Sequence, residues 1–368
     1  MFNSIYCVED ARRLARLKMP RLIFDYIDGA AGDERANQRN QSRISETKMV
    51  PRVLVNVDDK RLGKLLMEKQ WGMPFGIAPM GMCNLTHPQG DQFLARAAVK
   101  WNMPHCLSTM SSSSIEDIGN WAGGNAWFQL YMGQSEAQAM SLVDRARAAG
   151  YDTLILTVDV PEVAPRRRDM RNGFKSPLKI GAKQFLDFAF HPLWSIPTLL
   201  AGAPELANFE KGEFDRDAKR GMADWDFLDR LRAAWPGKLV VKGVLSPEDA
   251  VRIQGAGVDG IYVSNHGGRQ LGSAPAAIDQ LPLIRAAVGE QFALIFDSGI
   301  RDGEGVVKAL AMGADFVMLG RSLLYGMGAN GEQGLEQVLG LIVNEVRLTM
   351  AQLGCANIED IDSSMLIE

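Results

Sequence analysis

The sequence predicts a (β/α)8 TIM barrel with an N-terminal helical extension and a long insert after the fourth strand. Three observations predict it. Eight short apolar runs, at residues 75–80, 105–110, 126–132, 153–160, 239–244, 260–265, 293–300 and 316–320, read as buried strands. Segments of helical periodicity, such as 248–254 and 303–312, separate most of them. Alternating β and α units with uniformly apolar strands imply a parallel sheet covered on both faces, and eight units close a barrel. Polar residues then fall near the strand ends where such a barrel keeps its chemistry: Ser108, Gln129, Tyr131, Thr157, Asp159, Lys242, Ser264, His266, Asp297 and Arg321. A doubly wound sheet is the alternative, but it rarely needs so many strands. Residues 1–368 read as one domain.

Two stretches lie outside the repeat. Residues 1–70 precede the first strand and contain a helix predicted over 20–31, carrying Tyr26. The connection from 160 to 239 is far longer than an ordinary βα loop. Within it, residues 185–202 are apolar and aromatic but broken by Asp187, Pro192 and Pro197, too short and interrupted to span a bilayer. Lys175, Lys179 and Lys183 precede that run. The insert, residues 175–225, is either a lid over the site or a surface that dips into a membrane through 185–202.

Composition excludes several classes. Hydrophobic content of 46% with 23% charged residues is that of a globular chain, and a net charge of −4 gives no reason to expect a nucleic-acid partner. The four cysteines are scattered, with no CxxC pair and no Cys/His cluster at zinc spacing, so neither a metal site nor disulfides are expected. Glu9 and Asp10 stand where a signal peptide would be apolar. A cytoplasmic protein, or one peripheral to the inner membrane face, is the expectation.

The chemistry concentrates at residues 264–271, which read SNHGGRQL after the apolar run 260–263. His266 titrates near neutrality and Arg269 is a permanent planar cation, with two glycines between them that let the chain turn sharply. That pairing suits a substrate with a carboxylate for the arginine and an acidic proton for the histidine. Gln129 with Tyr131, and Thr157 with Asp159, share strand faces through their two-residue spacing. At the other end of the barrel series, 297–301 read DSGIR and 319–321 read LGR. Glycine amides and arginines after the seventh and eighth strands form a phosphate site, with Gly299, Arg301, Gly320 and Arg321 as its members. Asp297 cannot hold a phosphate and is expected to meet a cofactor hydroxyl. Residues 326–331 match GxGxxG, yet no strand leads into them, so they read as a turn before the C-terminal helix and give no support to a nicotinamide cofactor.

SNHGGRQL, DSGIR and LGR together resemble the FMN-dependent L-2-hydroxy-acid dehydrogenase and oxidase family, which includes glycolate oxidase, L-lactate dehydrogenase and mandelate dehydrogenase. The likeness runs from Tyr26 to the C-terminal helix, through the segments IAP (77–79), LST (107–109), WFQLY (127–131), TVD (157–159) and VKG (241–243). It implies a general base at His266, oriented by Asp159, with Tyr131 bonding the substrate hydroxyl. Arg166, Arg269 and Tyr26 would hold the substrate carboxylate, although Arg166 lies in a run of three arginines of which any could be solvated. For FMN, Ser108, Gln129 and Thr157 would meet the polar ring edge and Lys242 the site where negative charge gathers. Ala78, Pro79 and Met80 would face the ring, Ser264 the ribityl chain. Met110, where glycolate oxidases carry a bulky aromatic, and Phe174 imply a pocket open to lactate-like or mandelate-like acids.

The same resemblance implies a homotetramer. It leaves open whether the electrons leave as a hydride or through a carbanion. Gly272-Ser273 departs from the family's usual aspartate after the octapeptide and puts one cofactor contact in doubt. Gly81 stands where the oxidases tend to carry alanine and the membrane-linked dehydrogenases glycine. With the apolar insert, it implies a quinone or another acceptor rather than oxygen. The rivals are an oxidase that releases peroxide and a non-redox phosphate- or FMN-binding barrel.

Overall fold

The computed structural model describes residues 4–174, 180–210 and 221–367. Parts of the predicted insert, including Lys175 and Lys179, lie outside the described residues. Eight parallel strands form a closed barrel in sequential order: β3 (Phe75–Met80), β4 (His105–Ser108), β5 (Ala126–Tyr131), β6 (Thr153–Thr157), β7 (Lys238–Val244), β8 (Gly260–Val263), β9 (Ala293–Phe296) and β10 (Phe316–Leu319), which returns to β3. All eight expected strands form. Their interior is a packed layer that includes Ala78, Cys106, Trp127, Ile155, Val240, Tyr262, Ile295 and Phe316, while the alternate residues face the helices. This two-sided burial is why the strands read as continuous apolar runs.

The hairpin of β1 (Lys64–Leu66) and β2 (Lys69–Trp71) was not expected, because three-residue strands leave too little periodicity to read. It packs at the N-terminal end of the barrel, where Leu66 and Trp71 join the interior layer. The Trp71 ring stands edge-on to Trp127, with centroids 5.9 Å apart.

Three helices precede the hairpin: Val8–Lys18, Arg21–Asp28 and Arg35–Glu46. The first lies along the C-terminal helix Arg321–Gln352. That C-terminal helix corrects the expected turn at 326–331. It starts directly after β10 and is interrupted only at Asn330 and Gly331, where the backbone leaves helical values.

Between β6 and β7 the insert forms two short helices, Ala182–Ala189 and Pro192–Ala201. Trp194 is buried and donates its indole N–H to the Leu85 carbonyl at 2.8 Å, which seats the second helix on the loop after β3. Phe185, Leu186, Phe190, Leu193, Ile196, Leu199 and Leu200 point outward and are exposed. Among the described residues no helix is long and apolar enough to cross a membrane.

Trp71 is fully buried at the barrel floor, so Trp71→Ala should lower unfolding free energy by about 3–5 kcal/mol. Urea denaturation followed by far-UV circular dichroism measures this, and the loss should come through the midpoint rather than the slope.

Candidate active site

The chain leaves β8 in three consecutive left-handed residues, His266 (φ 59°), Gly267 (φ 63°) and Gly268 (φ 74°). A non-glycine residue in that conformation costs about 1–2 kcal/mol. Hydrogen bonds hold it there. The His266 amide donates to Ser264 Oγ at 3.0 Å, the Gly267 amide to Ser298 Oγ at 3.1 Å and the Gly268 amide to Asn265 Oδ1 at 3.1 Å. Gly268 has no alternative, since a Cβ there would lie 2.4 Å from the Asn37 amide nitrogen of helix Arg35–Glu46. The two serine hydroxyls can accept from the turn because both donate to Asp297 Oδ1, at 2.5 and 2.7 Å. Tyr262 and Lys242 occupy the other carboxylate oxygen, at 3.0 and 3.6 Å. Asp297 therefore organises the turn that presents His266, a use the sequence did not suggest.

Within the cavity the His266 Nδ1 lies 3.0 and 3.2 Å from the two Asp159 oxygens, and Nε2 lies 3.3 Å from the Tyr131 hydroxyl. Asp159 sits two residues beyond β6, behind the imidazole. It fits there because Gly243 has no side chain: a Cβ at that position, which has φ 103°, would lie 2.5 Å from the Asp159 Cβ. Burial pushes the His266 pKa down, Asp159 opposes the shift, and Lys242 and Arg166 add to it, leaving it below 6.5. Burial alone would raise the Asp159 pKa, but His266 and Lys242 outweigh it and hold the group below its ordinary 3.8. At neutral pH the pair is a carboxylate accepting from Nδ1–H, with the free Nε2 lone pair toward Tyr131.

Tyr26, Met110, Tyr131, Arg166, Phe174 and Arg269 line one cavity with His266. Tyr26 and Phe174 stack with ring centroids 4.4 Å apart. Arg269 lies 5.5 Å from the Tyr26 centroid, and its Nη1 donates to the carbonyls of Tyr26 and Gly29 at 3.0 and 2.8 Å. The ambiguous arginine run resolves. Arg167 pairs with Asp33 at the surface and Arg168 with Asp25, Asp28 and Glu34, whereas Arg166 lines the cavity. The same cavity is walled by Met82, Val160, Val163, Leu206 and Gln270, which were not singled out from sequence. Gln270 donates to the Asp159 carbonyl at 3.1 Å and lies inside the octapeptide, so its neighbourhood was the available signal. Leu206 comes from the insert, and nothing local in the sequence marks it.

The cofactor-side residues form a rim and a layer beneath it. Ala78, Pro79, Met80, Ser108, Lys242, Asp297, Gly299, Arg301, Gly320 and Arg321 line the cavity, while Gln129, Thr157 and Ser264 lie behind it. Registers Ser108↔Gln129, Tyr131↔Thr157 and Thr157↔Lys242 put these side chains at one barrel end. Lys242 donates to Ser264 Oγ at 2.8 Å and Ser108 to the Gln129 side-chain oxygen Oε1 at 3.0 Å. That leaves the Gln129 amide nitrogen and the Thr157 hydroxyl buried with no protein partner. Buried donors rarely go unmet, and a polar ligand edge reaching this layer would satisfy both.

At the far end Arg321 is half-buried and donates to the carbonyls of Ile27, Gly267 and Gly29, at 3.1, 3.0 and 2.9 Å. Arg301 donates to the Ile300 carbonyl at 2.9 Å. Burial, then repulsion from Arg301 and Arg166, pushes Arg321 down to about 10, and burial with Arg321 lowers Arg269 too. Half-buried cations bonded to carbonyls and to no carboxylate favour an anion beside them. A planar polar ring edge at one end and one phosphate at the other is what this donor set fits.

A closed parallel barrel with unmet buried donors, glycine and arginine loops after its last two strands, and a neutral histidine facing both defines a flavin-nucleotide oxidoreductase. The chain belongs to the FMN-dependent dehydrogenase family, whose profile matches residues 15–368. FMN is its cofactor. It is 40% identical to (S)-mandelate dehydrogenase of Pseudomonas putida over 375 residues, covering 100% of this chain and 95% of that protein. It is 37% identical to L-lactate dehydrogenase of Pseudomonas syringae pv. syringae over 376 residues, covering 99% of each. A crystal structure of the monotopic membrane protein (S)-mandelate dehydrogenase superposes with a TM-score of 0.94 at 39% identity, covering 99% of both chains. A mandelate oxidase superposes with a TM-score of 0.84 at 35% identity, covering 97% of this chain and 96% of the other.

Arg321→Ala should weaken FMN binding by about ten- to hundredfold, the value of a charge-assisted hydrogen bond. The flavin-to-protein absorbance ratio after gel filtration reads this directly, and an unchanged ratio would remove Arg321 from the phosphate site.

Proposed function

We propose that this enzyme oxidises an L-2-hydroxy acid with an apolar, mandelate-like or lactate-like side chain to the 2-keto acid. The observation that carries this is His266 placed between Asp159 and Tyr131 in the cavity that Arg166 and Arg269 share. The two guanidinium groups and the Tyr26 hydroxyl bind the substrate carboxylate, which fixes the α-carbon. Tyr131 hydrogen-bonds the substrate oxygen. His266 takes a proton at Nε2, and Asp159 stabilises the imidazolium that results. Bound FMN supplies the two-electron acceptor. Lys242 places a buried positive charge beneath the cavity, where it favours negative charge gathering on the ring. Met82, Met110, Val160, Val163, Phe174 and Leu206 give the side-chain pocket an apolar wall, and two flexible thioethers adapt it to a phenyl group better than to a methyl alone.

The electrons go to a membrane quinone. Six exposed apolar side chains on the two insert helices and Phe190 between them, with no spanning helix among the described residues, suit a surface that dips into lipid beside the cavity to which Leu206 contributes. The lid reading and the membrane reading thus describe two sides of one segment. A methyl group at Gly81 would come within 2.9 Å of the Met110 Cβ, so alanine there would press on the same apolar wall.

His266→Ala should retain FMN yet reduce it about two to four orders of magnitude more slowly with L-mandelate or L-lactate in anaerobic stopped flow. Because the base acts unprotonated and its pKa is lowered, kcat/KM should be flat through neutrality and fall only below pH 6.5. A profile that still rises above pH 7 would assign the proton to another group.

Replacing Phe185, Phe190, Leu193 and Leu199 together with serine should abolish co-sedimentation with anionic lipid vesicles while leaving flavin reduction intact. Fast stoichiometric peroxide formation by the wild type in air would instead favour oxygen as acceptor.

A further inference from the structure

The helix Arg167–Asn172 has a cavity residue at each end: Arg166 precedes it, and Phe174 follows two residues after it. Tyr26, on which Phe174 stacks, belongs to the helix Arg21–Asp28, well over a hundred residues earlier in the chain. Apart from Arg269, which follows β8, the wall assigned to the substrate carboxylate is therefore made from two separate elements. Between them stands Arg168. Its Nη1 lies 2.6 Å from Asp28 Oδ2 and 3.4 Å from Asp25 Oδ1, and its Nη2 donates to Glu34. These carboxylates flank Tyr26 in sequence, on its own helix and the turn that follows. Asn172 adds a second tie, donating to Asp25 Oδ2 at 2.7 Å, and the Gly32 amide donates to the Pro165 carbonyl at 3.0 Å.

We propose that Arg168 is a positioning residue, a clip that sets the distance between Tyr26 and the Arg166–Phe174 segment and so sets affinity for the substrate carboxylate. The inference rests on the reading that Tyr26 and Arg166 bind that carboxylate.

The charge arrangement explains why an arginine stands there. One planar fork reaches three carboxylates on two turns of backbone, whereas an ammonium would engage one at a time. Burial opposes the charged form, but Glu34 and Asp28 outweigh it and raise the Arg168 pKa, so the clip stays charged at every working pH. Asp28 is held well below the usual carboxylate range despite its burial, by Arg12, Arg168 and Tyr325. None of the carboxylates depends on Arg168 alone. Asp28 keeps Arg12 at 2.6 Å and Tyr325 at 2.8 Å, Asp25 keeps Asn172, and Glu34 keeps the Ala30 amide at 3.2 Å. Removing the guanidinium therefore leaves no buried charge stranded, and the fold should survive while the wall loosens. Arg167, one residue away, pairs with Asp33 at the surface and is the natural control.

The test uses FMN-loaded Arg168→Gln and titrates phenylacetate, a carboxylate without a reactive hydroxyl, while following the flavin spectrum. Affinity should fall about tenfold, KM for the hydroxy acid should rise in step, and kcat and FMN content should stay within about twofold of wild type. Arg168→Lys should recover part of the loss, and Arg167→Gln should match wild type. If Arg168→Gln does not fold, Asn172→Ala, which loosens the other end of the helix, should raise the phenylacetate dissociation constant alone. Unchanged affinity in whichever variant folds, or an equal effect from Arg167→Gln, overturns the proposal. Arg166→Met and Tyr26→Phe separate the two levels. If they too leave affinity unchanged, the carboxylate assignment itself fails; if they weaken binding and Arg168→Gln does not, only the clip fails.

Discussion

The contact between Asp159 and the Nδ1 of His266 is the interaction on which the site depends. Two ionisable groups that each resist burial become tolerable together, because one donates to the other in a half-buried site. The carboxylate fixes the tautomer and leaves the second ring nitrogen with its lone pair toward the cavity. That placement constrains its surroundings. Gly243 must lack a side chain for Asp159 to approach, and Gly268 must lack one for the helix Arg35–Glu46 to cover the turn. The turn is left-handed and strained, so its amides are met by Ser264, Ser298 and Asn265, whose own geometry passes back to Asp297.

A second constraint is the surplus of positive charge around one cavity. Arg166, Arg269, Arg301, Arg321 and Lys242 converge there; burial first, and then repulsion from neighbouring arginines, lowers the pKa of Arg269 and Arg321. Main-chain carbonyls accept from Arg269, Arg301 and Arg321 without neutralising them. Such a rim is favourable only with anions present, and the family's chemistry supplies two, the FMN phosphate and a substrate carboxylate. In the proposed arrangement their separation follows from the barrel: the phosphate would lie after β9 and β10, and the substrate near β5, β6 and β8.

The insert obeys a different economy. Its second helix buries Trp194 and Thr198 toward the body, and both described helices leave large apolar side chains outside. A face of that kind is unfavourable in water, and the Trp194 bond to Leu85 anchors it to the loop after β3 rather than to the barrel core. The segment can therefore present apolar surface without weakening the scaffold that holds His266.

Much of this was legible in the sequence. Strands buried on both faces announce themselves as apolar runs, so the eight-stranded barrel and the rim on which the polar residues sit followed from periodicity. SNHGGRQL and the paired glycine-arginine loops carried their chemistry because turn geometry and residue type are local properties. Three things were not local. The run Arg166–Arg167–Arg168 offers three like cations, and only the packing of helix Arg21–Asp28 against it decides which pairs with carboxylates and which faces the cavity. The hairpin that plugs the barrel is too short to show a period, and the roles of Leu206 and Asp297 depend on neighbours far away in the chain. Sequence determined what each strand end could do, since backbone periodicity and side-chain chemistry act over a few residues. Tertiary structure decided which of those groups share a cavity and in which charge state, because burial and distance between remote segments set both.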